Sequence, residues 1–432
     1  MIKWVFNIGL AATSAMVCLA ATDLADSIKS GELWKMDKSE LGSKYMRGVR
    51  YSPVDDNTQR IDARNALTIG KIAPAEMLFK WDGEHLASIQ VIIYNKGDDG
   101  ALEQTAFENK VKNSVAAVEE VVGAPGKAAK VSEKETGIKT RAWDWEWETG
   151  AIHLDSGSTG GSSKNKKKPG APFTAEFIRL NLGPDAAAIE TGGARDAVAH
   201  SELKKNLRHE ENGDVWLDNV PMVDQGDKGY CVPASISRVF AYYGMDGVDQ
   251  HALAAICGSS GAQGTRTDNM EESMQQICKK FPIRIVNLES KKLRDYTTFI
   301  MDLIGRYNKT AKSMGKDGIS EQQGSQFFDV ADPDVLLKAR AGKSSDVSKW
   351  MGDISKQINS GIPVLWCVTL GIYKESVSLP QGRGGHMRLI IGYNKAEKTI
   401  IYTDSWGSGH ERKSMPAAEA MSMTSSRYVL RR

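Results

Sequence analysis

The chain has 432 residues, room for two or three domains of about 150 residues each. At 41% hydrophobic and 25% charged residues its composition is globular, which excludes a wholly disordered or fibrous protein. The 56 Lys and Arg nearly balance the 54 Asp and Glu, leaving a net charge of +2, so no nucleic-acid partner is expected from the charge as a whole. Five cysteines are too few for a disulfide-built miniprotein, and no two are spaced as a CxxC pair.

Met1-Ile2-Lys3 gives a short positive start, and Trp4 to Ala21 is apolar or small apart from Asn7, Thr13 and Ser14. This is the pattern of a secretory signal peptide over 1–21, at the short limit for an uncleaved anchor. The expected location is therefore secreted or periplasmic, with no stable membrane span after cleavage. Removal of the segment takes away Lys3 and Cys18, leaving Cys231, Cys257, Cys278 and Cys367.

Residues 22–182 read as an N-terminal α+β domain that resembles no recognised family. A short helix is expected over 39–46, and the apolar runs 77–80 and 86–94 flank Asp82-Gly83, a hairpin turn. Phe107, Val111, Val115, Val118 and Val122 recur at helical spacing, which predicts an amphipathic helix over 105–122 stopped by Gly123. Trp143, Trp145 and Trp147 alternate with Asp144, Glu146 and Glu148, a strand whose aromatic face turns to a core. Residues 157–172, rich in Gly, Ser and Lys, read as a flexible loop. A charged, Ala-rich segment over 183–211, taken as helical, links the two halves.

Residues 212–432 form the second domain. Pro233 in a first turn, an apolar stripe through Val232, Ile236, Val239, Phe240 and Tyr243, and a stop at Gly244 predict a helix over 231–243. Asp268 and Glu271 suggest a capping box for a helix to Lys280, and further helices fit 290–307, 333–341 and 346–360. The period then changes to strands at 363–370, 386–393, 399–404 and 428–430. Helices followed by antiparallel strands make an α+β domain.

Cys231 falls where a loop meets that first helix. The positive end of the helix dipole favours thiolate, and the backbone N–H groups there can face a developing oxyanion. Gln225, on the preceding glycine-containing loop, could supply a side-chain amide to the same oxygen. Gly384-Gly385-His386 places a histidine at the entrance to a strand, after glycines that let a substrate backbone approach. Asp404-Ser405-Trp406-Gly407 ends the next strand with a carboxylate that can fix the imidazole tautomer, and Trp406 could shield that hydrogen bond from water. Taken singly, each residue has an ordinary structural reading: a small buried thiol, a hydrogen-bonding histidine, a turn aspartate. His251 and His410 are read as structural and solvent-facing respectively. Cys257 and Cys278, on consecutive helices, could pair or remain separate thiols. No GxxxxGKS/T, GxGxxG, HExxH or EF-hand pattern occurs, and no cofactor or metal is expected.

In order and spacing, Gln225, Cys231, Gly385-His386 and Asp404-Ser405-Trp406-Gly407 resemble the papain-like cysteine peptidases, in particular their C39-like bacterial branch. The resemblance covers about residues 212–432. It implies a papain-like fold, with Cys231 as nucleophile, His386 as base, Asp404 as its orienting partner and Gln225 as oxyanion donor. Cys231 and His386 lie 155 residues apart, a little beyond the roughly 130–150 common in papain-like enzymes. Asp404 stands where papain has Asn, and Val232-Pro233 replaces the usual Gly or Trp after the nucleophile.

The function so implied is a secreted cysteine peptidase that hydrolyses a peptide or protein substrate through a Cys-His-Asp triad and a thioester acyl-enzyme. The same residues would also serve a transglutaminase-like acyltransferase, and an inactive peptidase-like scaffold is a reading from outside the enzymes. For the N-terminal domain two roles are open: substrate docking or autoinhibition.

Overall fold

The structure, a computed structural model, describes residues 21–47, 49–129, 138–161, 172–189, 198, 200–226, 229–245, 249–259, 264–265, 270–289 and 295–431. The expected signal segment lies outside the described residues except for Ala21, as do most of the 157–172 loop and Asp268 of the expected capping box.

In the N-terminal half, Thr22–Asp23 (β1) is followed by α1 (Ala25–Ser30), α2 (Lys38–Tyr45), β2 (Tyr51–Asp55), β3 (Thr58–Asp62), β4 (Leu67–Thr68), β5 (Glu76–Asp82) and β6 (His85–Asn95). Then come α3 (Lys96–Asp99), α4 (Gln104–Val122), β7 (Lys127–Ala129), β8 (Lys139–Trp147), β9 (Gly150–Thr159) and β10 (Thr174–Gly183). Eight of these strands form one sheet in the order β2-β3-β5-β6-β10-β9-β8-β7, while β1 and β4 pair separately. The β5–β6 hairpin turns at Gly83, whose φ of +59° suits a residue without a Cβ. Helix α4 stops at Gly123 in the left-handed conformation, as its sequence predicts, and buries Phe107, Val111 and Val118 in the core of this sheet. Of the tryptophan row in β8, Trp145 is buried and Trp143 and Trp147 pack against the same core. The loop expected from residue 157 begins three residues later, because Gly157–Thr159 still pairs within the sheet.

The C-terminal half begins with α5 (His200–Leu203), β11 (Leu207–His209) and β12 (Asp214–Leu217). Among its described residues the segment 183–211 is helical only over short turns, and its end already adds a strand to the second sheet. There follow α6 (Cys231–Tyr242), α7 (Gln250–Cys257), α8 (Met270–Lys280), β13 (Arg284–Asn287), α9 (Tyr296–Ser313), α10 (Phe327–Val330), α11 (Pro333–Ala341) and α12 (Ser344–Ile358). The chain ends in β14 (Val364–Leu370), β15 (Gly384–Asn394), β16 (Thr399–Thr403), β17 (Lys413–Pro416), α13 (Ala417–Met423) and β18 (Thr424–Arg431). The sheet runs β11-β12-β15-β14-β18-β13, with β16 on β15 and β17 on β16, all antiparallel. Both halves are α+β.

This second sheet is covered on both faces. Val364, Trp366, Val368 and Leu370 of β14 pack with α9, α11, α12 and α13, while Leu365 and Cys367 on the opposite face pack with α6, α7 and α8. Burial of all seven β14 residues explains why its sequence is an unbroken apolar run and not an alternation. Cys257 and Cys278 are separate thiols, and burial of Cys257 pushes its thiol up to about 12.

Candidate active site

Helix α6 begins at Cys231 itself, with Tyr230 as its N-cap. Val232, Ile236, Val239 and Phe240 are buried against the sheet, so the apolar stripe fixes the rotation of the helix and leaves the half-buried Cys231 lining a cleft. Gln225, His386, Trp406 and Gly385 line the same cleft. Three of the four residues singled out from the sequence therefore line one cleft, and the fourth, Asp404, lies buried behind His386.

His386 enters from β15, opposite Val368 of β14, and its side chain is buried. Its Nε2 lies 3.1 Å from Asp404 Oδ1. The other ring nitrogen, Nδ1, is buried without a hydrogen-bond partner among the described residues, and the Cys231 thiol is near enough to act on the imidazole. Burial opposes ionisation of that thiol, but the hydrogen bond and charge of His386, with backbone contacts from Met387 and Val232, bring its pKa below the ordinary thiol value. Burial likewise opposes protonation of His386, and the hydrogen bonds and charges of Asp404 and Cys231 outweigh it, raising the imidazole. Trp406 lies flat on His386, ring centroids 4.2 Å apart and planes 10° apart, which shields the imidazole and its bond to Asp404 from water.

Gln225 is buried, and its backbone N–H donates to the Ser405 carbonyl at 2.8 Å, so the loop carrying the amide is tied to the turn after Asp404. Gly385 has open space where a side chain would project, and Gly384 has a φ of +155°. A substrate backbone can thus pass close to His386.

Asp404 has more partners than the sequence suggests. Arg388 Nε lies 2.8 Å from its Oδ1, and Lys413 Nζ is hydrogen-bonded to Oδ2. Arg388 also reaches Glu375 at 2.7 Å, and the Tyr402 hydroxyl donates to Glu375 at 2.6 Å. Against the cost of burial, Arg388, His386 and Lys413 hold the Asp404 carboxyl well below the usual carboxylate range. Two carboxylates, Asp404 and Glu375, thus balance two fixed cations, Arg388 and Lys413, and the thiol–imidazole pair sits on a neutral base. Arg388 was legible in principle: two residues beyond His386, it is a charge in an otherwise apolar strand on the same face. Lys413 and Glu375 carry no comparable signal.

Arg238 is another unforeseen residue. Seven positions after Cys231, it is fully buried and donates to the carbonyls of Asp404 at 2.8 Å and Pro221 at 2.6 Å, and to Thr403 Oγ1 at 2.7 Å. It fastens helix α6, which begins at Cys231, to the strand end that bears Asp404. The structure corrects one further expectation. His410 is buried, not solvent-facing: its carbonyl accepts from the Asp404 N–H and its ring stands edge-on to Trp406. His251 is buried edge-on against Tyr230. Among the described residues no group of three His, Cys, Asp or Glu side chains could hold a metal ion, and no helix is long and apolar enough to cross a membrane.

The opposed shifts of Cys231 and His386 give a pH prediction. The two titrate as a pair, with thiolate–imidazolium favoured between the lowered thiol and the raised imidazole. Alkylation of Cys231 by a small neutral reagent is expected to rise with pH through an inflection below the free-cysteine value of about 8.5. A single inflection at or above that value would contradict the pairing.

A thiol at a helix N-terminus, hydrogen-bonded to a carboxylate-anchored imidazole, is the equipment of a cysteine-type hydrolase. Residues 217–430 match the model of the Peptidase_C39 like family, and through this half the chain belongs to that family and is a cysteine-type peptidase. No curated protein matches the chain. Among solved structures, a crystal structure of xylellain, a cysteine protease from Xylella fastidiosa, matches with TM-score 0.23 and 13% identity, covering 55% of this chain and 90% of that one. At that score the likeness adds nothing to the assignment.

Proposed function

We propose that the protein is an exported cysteine peptidase that hydrolyses peptide bonds through a thioester on Cys231. His386 takes the thiol proton and Cys231 attacks the scissile carbonyl. The Gln225 amide and the Cys231 N–H stabilise the oxyanion, and His386 returns the proton to the leaving amine. Water, deprotonated by His386, then cleaves the thioester and releases the acid. Asp404 keeps the imidazole in the tautomer that presents Nδ1 to the thiol. The observation that carries this reading is a buried His386 held at Nε2 by Asp404, its Nδ1 left unpartnered in the cleft that Cys231 also lines. Export rests on the apolar stretch Trp4 to Ala21 after Lys3.

The test is a thiol-directed activity probe together with a peptide library. The probe is expected to label Cys231, to be blocked by prior alkylation, and library peptides should gain new free amino termini. With a primary amine added, an acyltransferase would instead attach the amine to the peptide. No labelling and no new termini would favour the inactive scaffold.

A further inference from the structure

The N-terminal half touches the loop that carries Gln225, the residue before Cys231 and the turn that follows Asp404. Tyr230, the residue before Cys231, is 1% exposed, and its ring fits over Gly97 of α3 so closely that a Cβ there would stand 2.5 Å from it. The Tyr230 hydroxyl is hydrogen-bonded to the Gly97 backbone. Arg60 of β3 places Nε 3.2 Å from Asp224 Oδ2, while Asp224 Oδ1 accepts from the Gly226 N–H at 2.8 Å, bracketing Gln225 on both sides. Pro53 of β2 accepts from the Ser408 N–H at 3.0 Å. Gly407 (φ +75°) packs so tightly there that a Cβ would meet the Pro53 oxygen at 2.7 Å, directly after Trp406.

None of the residues lining the cleft among the described residues comes from this half. Its described residues neither cover the cleft, as an inhibitory pro-region would, nor add a wall to it. Its contacts bear on backbone instead. The Cys231 N–H belongs to the peptide bond that Tyr230 carries, so a shift of the Tyr230 ring tilts that donor. The Asp224 carboxylate sets the turn on which Gln225 sits.

We propose that the N-terminal unit is an activating brace, in which the Gly97 seat for Tyr230 and the Arg60–Asp224 ion pair hold the two oxyanion donors in their catalytic positions. This rests on the peptidase reading above. Arg60 is then a positioning residue, acting through Asp224 on Gln225.

The experiment uses the full-length chain and two readouts: kcat on a small peptide, and the rate of Cys231 alkylation, a reaction that develops no oxyanion. Arg60→Met and Gly97→Leu are each expected to lower kcat by roughly 10- to 100-fold, the scale of an ångström-sized misplacement, while the alkylation rate and its pH dependence stay at the parent values. Arg60→Lys should recover part of the loss. In a Gln225→Ala background Arg60→Met should cost less than about a further twofold, because its effect runs through the missing amide, whereas Gly97→Leu should keep its full effect. Parental kcat in Arg60→Met and Gly97→Leu, or equal losses of kcat and alkylation, would overturn the brace. If Gly97→Leu fails to fold, the Arg60 variants and the Gln225 background decide the matter. Full activity of Cys231→Ala would instead overturn the peptidase reading itself, so the two failures are distinguishable.

Discussion

Cys231→Ala is expected to abolish peptide hydrolysis, leaving turnover at the detection limit of a peptide-cleavage assay. The other thiols cannot substitute: burial pushes both Cys257 and Cys367 up to about 12, and Cys278 lies on a different helix, α8. His386→Ala should be nearly as severe, since the thiol loses the group that lowers its pKa and the leaving amine loses its acid. The paired measurement is alkylation. In His386→Ala the Cys231 inflection should move up toward or beyond the free-thiol value of about 8.5, because burial would act on the thiol with nothing to offset it. A Cys231→Ala variant with parental turnover would refute the assignment of the nucleophile.

Asp404→Asn is expected to lose both stability and activity. From the papain parallel alone, Asn should be the mildest replacement, since it fills the orienting role there. The Arg388 and Lys413 side chains reverse that expectation, because Asn would leave both buried cations facing Glu375 alone. Breaking a buried pair by removing one partner costs about 3–5 kcal/mol. Removing the negative charge also leaves the protonated imidazole beside two cations, so the His386 pKa should fall and the alkaline limb of the kcat profile should move to lower pH. Thermal unfolding and a pH–rate profile check the two parts separately. Adding Lys413→Met to Asp404→Asn restores charge balance and should recover much of the melting temperature. A single Asp404→Asn variant that melts like the parent would show that the cations do not depend on Asp404.

Sequence periodicity located most of the amphipathic helices, although α9 runs six residues past the end expected for it at 307. Helix α11 matches its predicted span, and α6 and α12 fall within two residues of theirs, because an amphipathic stripe and a Gly or Pro stop leave a local mark. Strands β12, β13 and β17 left no such mark: each has four residues and is defined by its partner, not by its own pattern. Helix α13, AAEAMSM, is short and lacks a side-chain cap. At the site, the chemistry-bearing residues stood out because glycines lie near them at loop junctions: Gly226 after Gln225, Gly229 two before Cys231, Gly385 before His386 and Gly407 three after Asp404. The supporting residues did not. Arg238 looks like one polar position on a helix, and only the return of the chain at residues 403–404 reveals the acceptors for its guanidinium.

That return has a consequence in time. Arg238 and Asp404 are 166 residues apart, and Asp404 is complete only when Lys413 of β17 has joined it. A chain still being synthesised holds helix α6 and Cys231 long before it holds Asp404, and the long-range strand pairing that brings them together is intrinsically slow. A partly made molecule therefore exposes an ordinary thiol, not a paired thiolate. The connectivity completes the proposed site only once the chain has returned through residues 403–413.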